Sequence, residues 1–84
     1  MAEKEAAVGA EEGIHGRPAA RLVKAAKQFS SRIELVKGGR EVNAKSVLKV
    51  TGFARKGEQV TVRAEGDDAD EAVEAVAWLI AEGR

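Results

Sequence analysis

An α+β fold with its helices on one face of a sheet follows from three features of the chain. Residues 17–28 and 69–80 repeat apolar side chains at the i, i+3, i+4, i+7 spacing of a helix with one buried face. Residues 32–37 and 59–64 instead alternate apolar and polar, the pattern of strands with one face in a core and one in water. Gly38-Gly39 stands between residues 32–37 and a second short segment, and such a pair is a strong hairpin signal. The resulting order is β-α-β-β-α-β-α, which suits a split β-α-β layout with two long helices on one side of the sheet. The length of 84 residues points to one domain spanning 1–84, and no repeat, linker or low-complexity tract divides it.

The first strand is read over residues 3–9, with Ala6 and Val8 facing inward. Glu11, Glu12 and Gly13 connect it to a helix over residues 17–28. There Ala19, Leu22, Val23, Ala26 and Phe29 share one face, while Arg17, Arg21, Lys24 and Gln28 share the other and Lys27 lies at its edge. Ile33 and Leu35 are the inward pair of the next strand, and residues 40–42 return from the glycine turn. Ser46 is placed to cap a short helix from Val47 to about Thr51. After a polar turn at residues 55–58, Val60 and Val62 face inward in the last strand. Asp68 and Glu71 have the spacing of a capping box at the start of the last helix. Ala69, Ala72, Val73, Val76, Leu79 and Ile80 form its inner stripe, and Gly83 ends it. Trp78 falls outside that stripe, on the polar side with Glu71, Glu74 and Glu82.

Composition excludes several classes of function. The chain has no cysteine and a single histidine, which rules out a disulfide framework and a thiolate metal site and makes any metal site improbable; no cofactor is expected. Residues 1–13 carry no apolar run of signal-peptide type, and the longest apolar run, residues 75–81, is far too short to span a bilayer. A cytoplasmic protein without membrane insertion is therefore expected. Charge is unevenly spread: the net charge of zero divides into +9 over residues 13–63, −3 over 1–12 and −6 over 64–84. A basic middle suits an acidic protein partner. Nucleic acid is not expected, because the whole is neutral and the basic part almost lacks aromatic residues for stacking.

The stretch Gly13-Ile14-His15-Gly16-Arg17-Pro18-Ala19 carries the chemistry. It holds the only histidine and the only proline, and the basic helix starts directly after it. Proline at the first helical position has its φ preset and gives up an N–H that would be unpaired anyway. A helix start offers free N–H groups and the positive end of the dipole, which together suit an anion. The same potential favours the neutral, nucleophilic form of His15. Arg17 adds a planar fork of donors that matches a phosphate. Ser46 is explained as a cap, and its hydroxyl is also a candidate phosphorylation site.

Residues 13–20 resemble the active-site signature of HPr, the histidine-containing phosphocarrier family of the phosphoenolpyruvate-dependent sugar phosphotransferase system. Asn43-Ala44-Lys45-Ser46-Val47-Leu48-Lys49 is similar to that family's second signature, and residues 64–73 to its lead into the last helix. The resemblance implies an open-faced β-sandwich: a four-stranded antiparallel sheet in the order 1-4-2-3 with helices on one face. It implies that His15 takes a phosphoryl group on Nδ1 from phospho-enzyme I and passes it to an enzyme IIA domain, with Arg17 holding the phosphate. The chain would then be a carrier, not an independent catalyst, acting as a monomer. The implied partner surface comprises Ala20, Arg21, Lys24, Lys27, Val47, Leu48 and Lys49. Ser46 matches the serine that an HPr kinase/phosphorylase modifies in some bacteria. The alternative reading is a regulatory interaction module whose phosphorylation state is read by enzymes or transcription regulators. Three positions depart from the family pattern. Gly16 stands where Ala or Thr is usual, Glu12 where a small polar side chain is frequent, and the segment 50–57 is about a residue shorter.

Overall fold

The structure, a computed structural model, describes residues 1–83. Its elements are β1 (Ala2–Ala7), α1 (Gly16–Ala26), β2 (Arg32–Lys37), β3 (Arg40–Asn43), α2 (Val47–Val50), β4 (Gln59–Glu65) and α3 (Ala69–Glu82). The strands form one antiparallel sheet in the order β1-β4-β2-β3. This is the open-faced α+β sandwich that the sequence predicts, with the same element order.

Register explains which face is covered. Leu35 lies opposite Val62 and Ile33 opposite Ala64, and all four are buried, with Val60 beside them. Alternation then sends Arg32, Glu34, Thr61 and Arg63 to the other face. There Arg63 reaches Glu3 and Glu41 at 2.9 and 3.0 Å. The inner face receives Ala19, Leu22, Val23 and Ala26 from α1 and Ala69, Ala72, Val73, Val76, Ala77 and Ile80 from α3. Phe53 and Val50 close the core beside β3 and the short α2.

The first strand is shorter than expected. It ends at Ala7, and Val8 is buried beyond the ladder, where its N–H donates to the Glu58 carbonyl at 2.9 Å. The next residue is claimed by α3 instead: Gly9 N–H donates to the Ile80 carbonyl. Ala6 is only half-buried, on an edge strand that α3 packs against. Helix α1 begins one residue earlier than expected and ends two earlier. Its last turn tightens, Gln28 and Phe29 N–H bonding to the carbonyls three residues back, so Phe29 covers the core edge without entering it.

Asp68 is the N-cap of α3, but its side chain makes no capping bond. Its carboxylate accepts the N–H groups of Ser30 and Ser31 at 2.9 and 3.0 Å, together with the Ser31 hydroxyl. The expected capping box does not form, because these donors from the α1–β2 connection take both carboxylate oxygens. The Ser31 hydroxyl, and after it the Ser30 N–H, hold the Asp68 carboxyl down at about 2.

Candidate functional site

His15 is the N-cap of α1, in extended conformation at φ −134° and ψ 160°. Two backbone bonds set its position. Ile14 N–H donates to the Ala54 carbonyl at 3.0 Å, and Gly52 N–H donates to the Ile14 carbonyl at 2.7 Å. The loop before α1 is thus stitched to the loop after α2, and Ile14, 2% exposed, is its apolar anchor. The imidazole is left exposed.

The ring rests over Gly52. A Cβ at that glycine would stand 3.4 Å from His15 Cε1 and 3.8 Å from Nε2, with φ at +79°. Only glycine combines that backbone conformation with a floor flat enough for the ring. Nδ1 lies beyond 4 Å from the same point, so Cε1 and Nε2 are the ring atoms nearest Gly52. No reading of the local sequence brought Gly52 to the site. Its only local signal is a glycine just past a short helix, which is the ordinary mark of a helix end.

The start of α1 is open to an anion. His15 makes no side-chain capping bond, and no acidic residue lies in the first turn. Pro18 occupies the third helical position, not the first, because the helix is counted from Gly16, whose φ of +53° glycine takes without strain. Proline still falls within the turn whose N–H groups have no partner inside the helix. The free donors are therefore those of Gly16 and Arg17. Arg17 is exposed, and among the described residues no carboxylate pairs with its guanidinium.

A shallow depression joins His15, Gly16, Arg17 and Pro18 to Glu11, Glu12 and Gly83. Glu11 is drawn off by Lys56 at 2.7 Å; the bond from that amine, and then its charge, lower the Glu11 carboxyl. Glu12 is exposed at the rim.

Ser46 is the N-cap of α2, its hydroxyl accepting Lys49 N–H at 3.3 Å. Val47 and Leu48 follow, 52% and 84% exposed. Ala20, Arg21, Lys24, Lys27 and Lys49 are exposed too, and α1 packs against α2. The fold therefore joins the two predicted segments into one surface, an apolar centre in a basic surround beside His15. Ser46 is half-buried at its edge.

The comparisons with known proteins agree with this arrangement. The family model described as PTS HPr component phosphorylation site matches residues 2–82. The chain is 42% identical over 81 residues to phosphocarrier protein HPr of Haemophilus influenzae, covering 95% of each chain. To phosphocarrier protein HPr of Buchnera aphidicola it is 37% identical over 83 residues, covering 98% of each. The crystal structure of HPr-C-His from Thermoanaerobacter tengcongensis superposes with a TM-score of 0.90 at 40% identity, over 95% of this chain and 91% of that one. With the family model spanning nearly the whole chain and the same fold in a solved relative, this chain belongs to the HPr family of phosphocarrier proteins of the phosphotransferase system.

Proposed function

We propose that this chain is a cytoplasmic, single-domain carrier that accepts a phosphoryl group on His15 Nδ1 from phospho-enzyme I and delivers it to enzyme IIA domains of sugar permeases. The observation that carries the reading is the start of α1: an uncapped histidine, no acidic residue in the first turn and an Arg17 that pairs with no carboxylate among the described residues. Of the two ring nitrogens, Nε2 is the one within 4 Å of the Gly52 Cβ position, which supports Nδ1 as the acceptor.

In transfer, the lone pair of neutral His15 forms a phosphorus–nitrogen bond as the donor's phosphorus–nitrogen bond breaks, and the donor ring keeps the released electron pair. Such an exchange between two imidazoles needs alignment and charge stabilisation more than covalent help. The Gly16 and Arg17 N–H groups and the Arg17 guanidinium supply the second. The protein turns over nothing by itself; it is the covalent intermediate between two enzymes. Ala20, Arg21, Lys24, Lys27, Val47, Leu48 and Lys49 form the docking surface, which the monomer presents to both partners in turn.

Ser46 is the regulatory position. A phosphate added there by an HPr kinase/phosphorylase sits at the start of α2, next to Val47 and Leu48, and sets negative charge into a basic docking surface.

Incubation with phosphoenolpyruvate and enzyme I, followed by phosphorus NMR, tests the site. An Nδ1-phosphohistidine signal is expected, and it should vanish in His15→Ala while the fold is kept. Acid-labile phosphate surviving in that variant would move the acceptor elsewhere.

A further inference from the structure

The peptide group between Ala54 and Arg55 is held from both sides. Its carbonyl, that of Ala54, accepts Ile14 N–H at 3.0 Å. Its amide, that of Arg55, donates to the Glu58 carboxylate at 2.7 Å. The peptide is trans, so it is planar and its carbonyl and amide point in opposite directions. Whatever turns the amide therefore turns the carbonyl. The carbonyl side leaves no slack: a Cβ at Gly13 would stand 2.5 Å from the Ala54 oxygen.

Glu58 is itself fixed. Its N–H donates back to the Arg55 carbonyl at 3.1 Å, so backbone and side chain close the 55–58 turn reciprocally, in the manner of a capping box. The carboxylate oxygen that takes Arg55 N–H also takes the Lys37 amine at 3.0 Å. Lys37 ends β2, and its amine lies 5.9 Å from the centre of the buried Phe53 ring, with the Arg40 guanidinium of β3 at 5.3 Å. The Arg55 N–H, and after it the Lys37 amine, hold the Glu58 carboxyl below its ordinary value, so the acceptor is charged at neutral pH. A charged acceptor makes the stronger bond and polarises the peptide it holds, which strengthens the carbonyl that faces Ile14.

We infer that Glu58 is a positioning residue for His15: through the Ala54–Arg55 peptide group it aims the carbonyl that fixes Ile14, and with it the backbone from which the imidazole projects. It acts from 43 residues along the chain, through one rigid group and one hydrogen bond. For its effect on transfer the inference rests on the carrier reading; its effect on the loop does not. Neither Glu58 nor Lys37 belongs to the docking surface of α1 and α2. Loss of Glu58 therefore slows the transfer step, where alignment counts, and leaves capture by enzyme I unchanged.

Amide hydrogen exchange of the full chain, followed by NMR, reads the loop without any phosphoryl donor. Glu58→Ala should speed exchange of the Ile14 amide roughly tenfold relative to the Leu35 and Val62 amides of the sheet. Glu58→Gln keeps an acceptor oxygen for Arg55 N–H and should restore most of the protection. Lys37→Met removes only the charge partner and should change it less than about threefold. In rapid-quench transfer from phospho-enzyme I, Glu58→Ala should lower the maximal rate about 5- to 10-fold and move the half-saturating concentration less than about twofold. Glu58→Gln should recover most of that rate. Equal changes in exchange at Ile14 and in the sheet would make Glu58 a stabilising residue only and overturn the inference. So would an unchanged maximal rate in a variant whose Ile14 amide is loosened, or a Glu58→Gln chain as impaired as Glu58→Ala. A parent chain that accepts no phosphoryl group overturns the carrier reading instead, and the exchange result then decides the positioning of the loop by itself.

Discussion

Helix α1 starts on an extended His15 with no carboxylate in its first turn, whereas α3 starts on Asp68 and carries Asp70 and Glu71 there. Both helix starts expose partial positive charge. At α3 the chain answers that charge with its own side chains, and the nearby Asp68 carboxylate ties down the α1–β2 connection through Ser30 and Ser31. At α1 no side chain of the described residues answers the charge, and Pro18 removes one donor that would otherwise compete for water. On the carrier reading, the difference teaches what a binding helix start looks like beside a structural one: among the described residues the first lacks compensation that the same chain provides elsewhere.

The comparison breaks most severely if α1 is given the character of α3. Arg17→Glu puts a carboxylate in the first turn and removes the guanidinium, and should slow phosphoryl acceptance from enzyme I more than 100-fold. Arg17→Ala removes only the charge-assisted bonds and should cost about 10- to 100-fold. Equal rates for the two variants in a rapid-quench assay would show that the lack of an acidic residue in the first turn of α1 is irrelevant to transfer.

At α3 the opposite is expected: altered stability with transfer intact. The folded Asp68 carboxyl titrates at about 2, below its ordinary 3.8. A depressed folded value means that this carboxylate favours the folded state above about pH 4 and that its contribution fades as pH falls toward 2. Asp68→Asn should therefore lower the melting temperature at pH 7 and flatten the stability profile between about pH 4 and 2. An unchanged profile would take the Ser30–Ser31 anchor out of the account.

The smallest effect belongs to Ser46. Its capping bond is 3.3 Å long on a helix of four residues, so Ser46→Ala should cost about 0.5–1 kcal/mol of stability, read from denaturant midpoints. Ser46→Asp keeps a capping acceptor and should leave stability nearly unchanged, while weakening the affinity of enzyme I. Equal affinity for the two variants would reduce Ser46 to a cap.

Much of this was legible from local pattern. The 3.6-residue spacing of Ala19, Leu22, Val23 and Ala26 specified the buried face of α1, and Gly38-Gly39 specified the β2–β3 hairpin. The strand order came from resemblance to a family, because register between distant strands has no local signal. What local pattern missed was long-range. Glu71, three residues on, gives Asp68 the spacing of a capping box, yet its partners are 37 and 38 residues away. The floor under His15 comes from Gly52, which nothing in the sequence links to the histidine. The sequence pattern puts Pro18 at the first helical position, because a positive φ at Gly16 leaves no trace beyond the glycine itself.

The stitching of Ile14 to Gly52 and Ala54 has a consequence for throughput. On the carrier reading proposed above, a donor and an acceptor would each capture this loop and then release it, once per phosphoryl group carried. A loop held by two backbone bonds has little disorder left to lose at each encounter, so productive contact can form without the large compensating interface that would slow departure. Loosening the stitch would tax every handover twice, once with each partner, and a relay lives by how quickly it lets go.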